Sequence, residues 1–325
     1  MRRMVLLLAA LAAAAAPRAQ TPPAPGGIEV LTVRDNFFVI AGAGGNIGVQ
    51  VGDDGVVVVD AGSAARAADV VAAIKRITPK PIRYIINTGP DADHVGGNET
   101  LSKAGETILT SMRLGGQQQQ FMAPVASILS TEGVLRRMSA PSGSTPAYPA
   151  AAWPTESFHH PRKYMYLNGE AIEILHQPAA HTDSDAFVFF RRSDVVVAGD
   201  VVDTRRFPVI DVDRGGSIDG EIAALNRLSE IAVASIPIVI REAGTIVVAG
   251  HGRLYDQYDV IEYRDMVTII RDRVRDLVAA GRSLEQAKAA NPANGYAGRY
   301  GNAGGDWTTD RFVEAIYRSL AKERK

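Results

Sequence analysis

Asn87-Thr-Gly-Pro-Asp-Ala-Asp-His-Val-Gly-Gly97 decides how this chain folds. The apolar run Ile82-Arg-Tyr-Ile-Ile86 before it predicts a short buried strand, and Asn98-Glu-Thr-Leu101 after it opens a helix. A strand that leads into Asp and His, with glycines that let the chain turn sharply, gathers side chains at one point. Carboxylate and imidazole on such a turn are metal-ligand chemistry.

The 325-residue chain has no cysteine. That removes disulfides, thiolate metal sites and cysteine nucleophiles together, so a metal must be held by His, Asp or Glu. Hydrophobic residues make up 46%, enough for a sizeable core. Met1-Arg-Arg-Met4, the apolar run Val5 to Ala16 and the small residues up to Ala19 have the form of a secretory signal. The expectation is a signal peptide over 1–19, a Pro-rich linker over 20–27 and one domain over 28–325, located in the periplasm or secreted. Loss of Arg2, Arg3 and Arg18 would leave 32 basic against 36 acidic residues, a net charge of -4. Such a balance carries no basic footprint for nucleic acid. No segment is long and apolar enough to span a membrane. A small-molecule substrate is expected, and oligomeric state is not legible.

Outward from the opening stretch, residues 28–60 predict four strands, Ile28–Val33, Phe37–Ala41, Gly45–Val51 and Val56–Asp60, joined by tight turns. Asp60-Ala-Gly-Ser63 ends the last of them, with Asp60 assigned a structural role and Ser63 the cap of a helix over Ala64–Arg76. Thr107–Thr110 predicts a strand. Met112–Arg137 predicts helix in pieces, with Gln117–Gln120 on a solvated helix face. The Pro-rich connection over 140–161 predicts a linker or a flap over a site. The second half repeats the pattern: strands at Tyr164–Leu167, Ala171–His176, Ala186–Arg191, Val195–Ala198 and Thr245–Ala249, and helices at Asp219–Val233, Tyr255–Ala280, Ser283–Ala290 and Thr308–Lys322. Strands then helices, twice over, predict an α/β fold of two mixed sheets face to face with helices outside, a four-layer αββα sandwich.

The candidate ligands all follow predicted strands: Asp91, Asp93 and His94, then His181, Asp200 and His251. Loops at one end of a sheet converge, so residues far apart in sequence can meet. His159-His160 predicts an exposed pair and His176 a strand residue. Arg205, Arg206 and Arg214 face either solvent or an anionic substrate, and Asp211 and Asp213 order their loop or bind Ca²⁺. Gly42-Ala-Gly-Gly45 is a poor dinucleotide loop because a strand, not a helix, follows it. A Gly-x-Ser-x-Gly elbow is absent.

Taken in order, Gly89-x-Asp91-x-Asp93-His94, Pro178-Ala-Ala-His181, Ala198-Gly-Asp200 and Ala249-Gly-His251 resemble the metallo-β-lactamase fold superfamily, whose loop is His-x-His-x-Asp-His. The resemblance covers roughly residues 28–255, Asp60-Ala-Gly62 included, and Phe207 to Asp219 resembles a secreted subgroup of that family. It implies a metal-dependent hydrolase in which a metal-bound hydroxide attacks a lactam, lactone, ester or thioester, or phosphoester. One metal position would use Asp93, His94 and His251, with Asp93 also orienting the nucleophile. The other would use Gly89, Asp91 and His181, where Gly89 brings no ligand and Asp91 stands for a His; Asp200 would bridge the two. The cofactor implied is one or two Zn²⁺ ions, with Mn or Fe as alternatives. Loss of two His ligands also raises a second function, a non-catalytic binding protein on a degenerate hydrolase scaffold. Iron-based redox chemistry is a third.

Overall fold

The structure, a computed structural model, describes residues 27–108, 112–114, 117–119, 125–143, 145–235, 244–301 and 305–322. The expected signal peptide, and the linker up to residue 26, lie outside the described residues. Among those described, no helix is long and apolar enough to cross a membrane.

Two large sheets form the middle of the fold. The first has seven strands in the order β1 (Glu29–Arg34), β2 (Phe37–Ala43), β3 (Gly45–Gly52), β4 (Gly55–Val59), β5 (Ile82–Ile86), β6 (Ser127–Thr131) and β7 (Glu156–Phe158). β1 to β4 are an antiparallel meander, and β4 to β7 pair in parallel. The second sheet is β8 (Arg162–Leu167), β9 (Glu170–Gln177), β10 (Asp185–Phe190), β11 (Val195–Asp203) and β12 (Ile246–His251). Only its last pair is parallel. The helices are α1 (Ala67–Ile77), α2 (Ala92–Val95), α3 (Asn98–Lys103), α4 (Glu132–Ser139), α5 (Ile218–Ile231), α6 (Gln257–Ala279), α7 (Leu284–Ala289), α8 (Ala297–Tyr300) and α9 (Thr309–Lys322).

Alternation along the strands sorts side chains into three apolar layers. Between the sheets lie Phe37, Val57, Val59 and Ile86 from the first and Ile174, Val188, Phe190 and Val197 from the second. Phe37 meets Phe190 edge-on, ring centroids 4.9 Å apart. The outer face of the first sheet packs Val56, Val58 and Ile85 under Val70 and Ile74 of α1 and Leu101 of α3. The outer face of the second packs Phe187, Val196 and Val247 under Leu225, Tyr263, Ile270, Phe312 and Ile316 of α5, α6 and α9. Strand faces buried on both sides explain why β4 and the first half of β11 read as continuous apolar runs. The expected αββα sandwich is the fold.

Four local expectations change. Met112–Leu114 and Gln117–Gln119 are a two-stranded antiparallel pair, so the glutamine run is strand rather than helix. Ser127–Thr131 is a sheet strand, leaving α4 as the one helix of that region among the described residues. Its pairing with β5 and β7 is non-local and outweighs the helical spacing of its apolar residues. Thr107 and Ile108 are not in a strand, and the rest of that expected strand lies outside the described residues. Ser63 precedes a 3₁₀ turn, Ala64–Arg66, without a side-chain capping bond.

Candidate metal centre

Three strand ends and one helical turn build the site. Asp93 and His94 lie in α2, a single turn whose His94 and Val95 amides donate to Asp91 O at 2.9 and 3.0 Å. The turn is pinned from both sides. Asn87 and Asn98 exchange side-chain hydrogen bonds at 3.0 and 2.8 Å, and Ala61 N donates to His94 O at 2.7 Å. Asp200 and His251 are not beyond their strands, as expected from sequence, but within β11 and β12. β11 is irregular there: its register with β12 shifts on both sides of Gly199. Gly250 sits so close that a Cβ on it would stand 2.6 Å from Asp200 Oδ1, so only glycine lets the two strands deliver Asp200 and His251 together.

The ligand atoms of Asp93, His94, Asp200 and His251 lie within 4.8 Å of one another, and so do those of Asp91, His181 and Asp200. Asp200 thus belongs to both groups. His251 Nε2 is 3.1 Å from Asp93 Oδ2 and 3.3 Å from Asp200 Oδ1. His181 Nε2 is 2.9 Å from Asp91 Oδ2 and 4.0 Å from Asp200 Oδ2. His159 and His160 are exposed, outside both groups. His176 is half-buried, its Nε2 2.8 Å from Asp183 O.

Two of the histidines are held at Nδ1, and His94 alone of the two keeps an unpartnered Nε2 for a metal. His94 Nδ1 is 2.7 Å from Asp60 Oδ2, and His181 Nδ1 is 2.7 Å from Val209 O. An acceptor at Nδ1 keeps the proton there and turns the Nε2 lone pair toward the cluster, the arrangement that supports metal-bound imidazoles. Asp60 is therefore more than a strand-end residue. Buried and left-handed at φ 65°, it also accepts from Thr88 N at 2.8 Å and Thr88 Oγ1 at 2.7 Å. The glycine-rich Gly42–Gly45 turn, poor as a nucleotide loop, lies under the ligands: a Cβ on Gly44 would come within 2.9 Å of Asp93 Cβ.

Charge at the centre is concentrated. Burial disfavours the charged forms, yet the carboxylates push His94 well above the ordinary imidazole value, with Asp200 and Asp60 the main causes. His181 is raised to about 10 and His251 to about 9 in the same way, against burial, through Asp91 and Asp185 for the first and Asp200 and Asp93 for the second. Asp200 is held well below the usual carboxylate range against its burial, chiefly by His94 and His251. The fit to a cation is visible in what remains unpartnered. His94 Nε2 and Asp200 Oδ1 approach to 3.1 Å but out of line, and both are buried without a hydrogen bond, as is His251 Nδ1. A buried ion-pair network that served structure alone would satisfy these atoms; two imidazoles and two carboxylates suit a divalent ion such as zinc.

Three further residues border the site. Arg214 donates from Nη1 to Asp91 Oδ1 at 2.7 Å. Arg205 and Arg206 instead pair with buried Asp203, leaving Arg214 the one arginine of the three bonded to a cluster residue. Tyr148, half-buried in the Pro-rich connection, feels Asp91, Asp93 and Arg214; burial first, then the two carboxylates, raise its hydroxyl above the ordinary phenol value. Glu221 of α5 is fully buried with neither oxygen bonded, and burial raises it well above the usual carboxylate range, aided by Asp185 and Asp200. Nothing in the periodicity marked Tyr148 or Glu221, since both positions read as ordinary loop or helix residues.

Residues 41–112 match a family model described as the metallo-beta-lactamase superfamily. No curated protein sequence matches the chain. Among solved structures, it resembles a metallo-beta-lactamase from Pontibacter korlensis, with TM-score 0.53 and 15% identity over 74% of this chain and 99% of that one. DIM-1 metallo-beta-lactamase gives 0.53 and 16% over 74% and 97%. The sec-alkylsulfatase Pisa1 from Pseudomonas sp. gives 0.58 and 14%, covering 90% of this chain and 50% of that one, so the chain spans half the length of that enzyme. At these identities the likeness is one of fold. Residues 41–112 are thus similar to the metallo-beta-lactamase superfamily, and the two-sheet architecture is the fold of its solved structures.

Proposed function

We propose that the chain is an exported metal-dependent hydrolase whose ion is held by Asp93, His94, Asp200 and His251. The observation that carries this is the pair of buried, unpartnered ligand atoms His94 Nε2 and Asp200 Oδ1 in a group whose ligand atoms, with those of Asp93 and His251, lie within 4.8 Å of one another. A divalent ion held by these residues would supply Lewis-acid chemistry and activate water at neutral pH. The chain's own groups supply the rest. Asp60 fixes the His94 ring. Asp93, with a side chain 36% exposed against 17% for Asp200, is the carboxylate nearest solvent and the one placed to orient a nucleophilic water. Tyr148, kept protonated, is the candidate to deliver a proton to a leaving group. Among substrates, a cyclic amide or ester comes ahead of other esters, thioesters and phosphoesters, by fold analogy alone.

The test is metal content of the purified protein after supplementation with zinc, manganese and iron, for wild type and His94→Ala, with turnover on a panel of lactam, lactone, thioester and phosphodiester. An alkyl sulfate joins the panel because one fold neighbour is a sulfatase. Bound metal that His94→Ala loses, with turnover of one class, is the expected result. No metal in wild type would overturn the proposal, and metal without turnover would favour the binding-protein alternative, which Gly89 motivates.

A further inference from the structure

We infer that Arg214 occupies the place of the second cation, so that the centre takes one metal ion and keeps a guanidinium where relatives with two ions would hold the other. The inference rests on the metal centre proposed above and concerns only its second position. The two ligand groups differ in how their atoms are satisfied. Around Asp93, His94, Asp200 and His251 the buried ligand atoms His94 Nε2 and Asp200 Oδ1 lack any partner. In the Asp91 and His181 group the chain has already supplied the partners. Asp91 Oδ1 accepts from Arg214 Nη1 at 2.7 Å, Asp91 Oδ2 faces His181 Nε2 at 2.9 Å, and His181 Nδ1 faces Val209 O at 2.7 Å. Gly89 adds nothing, although the space for a ligand is open: a Cβ there would meet only Asp185 Oδ1, at 3.5 Å.

Arg214 is held there from several sides. Its Nε donates to Asp211 Oδ2 at 2.6 Å and its backbone N to Asp211 Oδ1 at 2.9 Å. Its carbonyl accepts from Arg137 Nη2 at 2.8 Å and from Asp183 N at 3.1 Å. Gly215, at φ 87°, turns the chain immediately after it. A divalent ion on Asp91 would sit within one carboxylate of this fixed guanidinium, and like charges at that range repel strongly in a partly desolvated site. Unlike an ion, the guanidinium cannot dissociate or coordinate water, but it offers hydrogen-bond donors to an anionic group of a substrate.

Cobalt(II) titration of the metal-free full-length chain, followed by visible absorption and by metal analysis after desalting, tests this without reference to turnover. Wild type is expected to retain one ion per chain. Arg214→Gln, which keeps hydrogen bonding but removes the charge, is expected to bind a second at least about tenfold more tightly than wild type does. Arg214→Lys restores a cation and should return the chain to one. Gly89→His alone adds an imidazole while leaving Arg214 in place, and should also stay at one. Two ions of similar affinity in wild type, or in Gly89→His, would overturn the inference while leaving the metal centre standing. No second ion in folded Arg214→Gln would overturn it as well. Zero ions in wild type would remove the metal centre itself, and the inference with it.

Discussion

Asp60→Asn separates a metal-orienting role from a structural one. Asparagine tolerates the left-handed backbone that Asp60 adopts at φ 65° and fills the same space, so β4 and the turn after it should persist. The hydrogen-bond pattern cannot persist. Thr88 N donates to Oδ1 at 2.8 Å, while Thr88 Oγ1 and His94 Nδ1 both lie 2.7 Å from Oδ2. An Asn that keeps its oxygen toward Thr88 N must turn its NH₂ toward Thr88 Oγ1 and His94. His94 Nδ1 must then accept, which moves the ring proton to Nε2 and removes the lone pair that faces Asp200. The reverse amide orientation sets NH₂ against the Thr88 amide donor instead. Either way one charge-assisted hydrogen bond in a fully buried position is lost, about 1.5–3 kcal/mol of stability in the metal-free chain. Metal affinity should fall separately by about 10–100-fold, as for other partners that fix a metal-bound His. Zinc competition against a chromogenic chelator measures the second quantity, and urea unfolding in excess chelator the first. An affinity within about threefold of wild type, in a variant shown to be folded, would mean that His94 does not need Asp60 to set its proton.

Two further predictions follow from the charged and buried groups. Because carboxylates raise His251 to about 9 and His94 above its ordinary value, both imidazoles carry protons at neutral pH in the metal-free chain. Their ion-pair contribution to stability is present below the unfolded imidazole value of about 6.5 and is lost as pH rises through the raised values, near 9 for His251. Metal binding must displace those protons, so affinity should climb between about pH 6.5 and 9, roughly tenfold per unit for each proton released. Calorimetry in buffers of different ionisation enthalpy counts the protons, and a pH-independent affinity would contradict the assignment of these imidazoles as ligands. Glu221→Met should stabilise the fold by about 1–3 kcal/mol at pH 8, since it removes a buried acid with two unbonded oxygens. The folded pKa of Glu221 is raised, so wild type loses stability as pH rises from the unfolded value of about 4.5 toward the folded one, and the gain in the variant should shrink at pH 5. Urea midpoints at both pH values read this directly; equal gains at the two would show that the group's ionisation is not involved.

What was legible in the sequence follows a physical division. Ile82–Ile86 is a strand with the expected ends because an apolar run bounded by Pro81 and Asn87 has no competing structure. The layers were legible because Val56 to Val59 and Phe187 to Phe190 alternate between two buried faces. Ser127–Thr131 was not legible, since its order comes from parallel partners 43 residues earlier and 27 later, which no local period encodes. The candidate ligands could be read from Asp93, His94, His181, Asp200 and His251 in order, as types of residue after strands. Their supports could not. Asp60 acts through 34 residues of separation on His94, and Arg214 through 123 on Asp91.

The sharpest consequence lies in the opening stretch itself. Gly89 and Asp91 read in sequence as two lost ligands, which invites decay of the site. The geometry places a compensating charge there: the segment after β11 brings Arg214 onto Asp91, and Asp211, Asp183 and Arg137 hold it fixed. Random loss of function would leave Asp91 bonded to solvent, or absent, and would not require two other side chains, a backbone amide and a left-handed glycine to position its partner. On the inference above, a changed metal count rather than decay would account for Gly89, Asp91 and the ordered arginine together. Gly89 then ceases to be a gap: a Cβ there would meet only Asp185 Oδ1, at 3.5 Å, so the position leaves open space beside a loop whose Asp91 already holds a guanidinium.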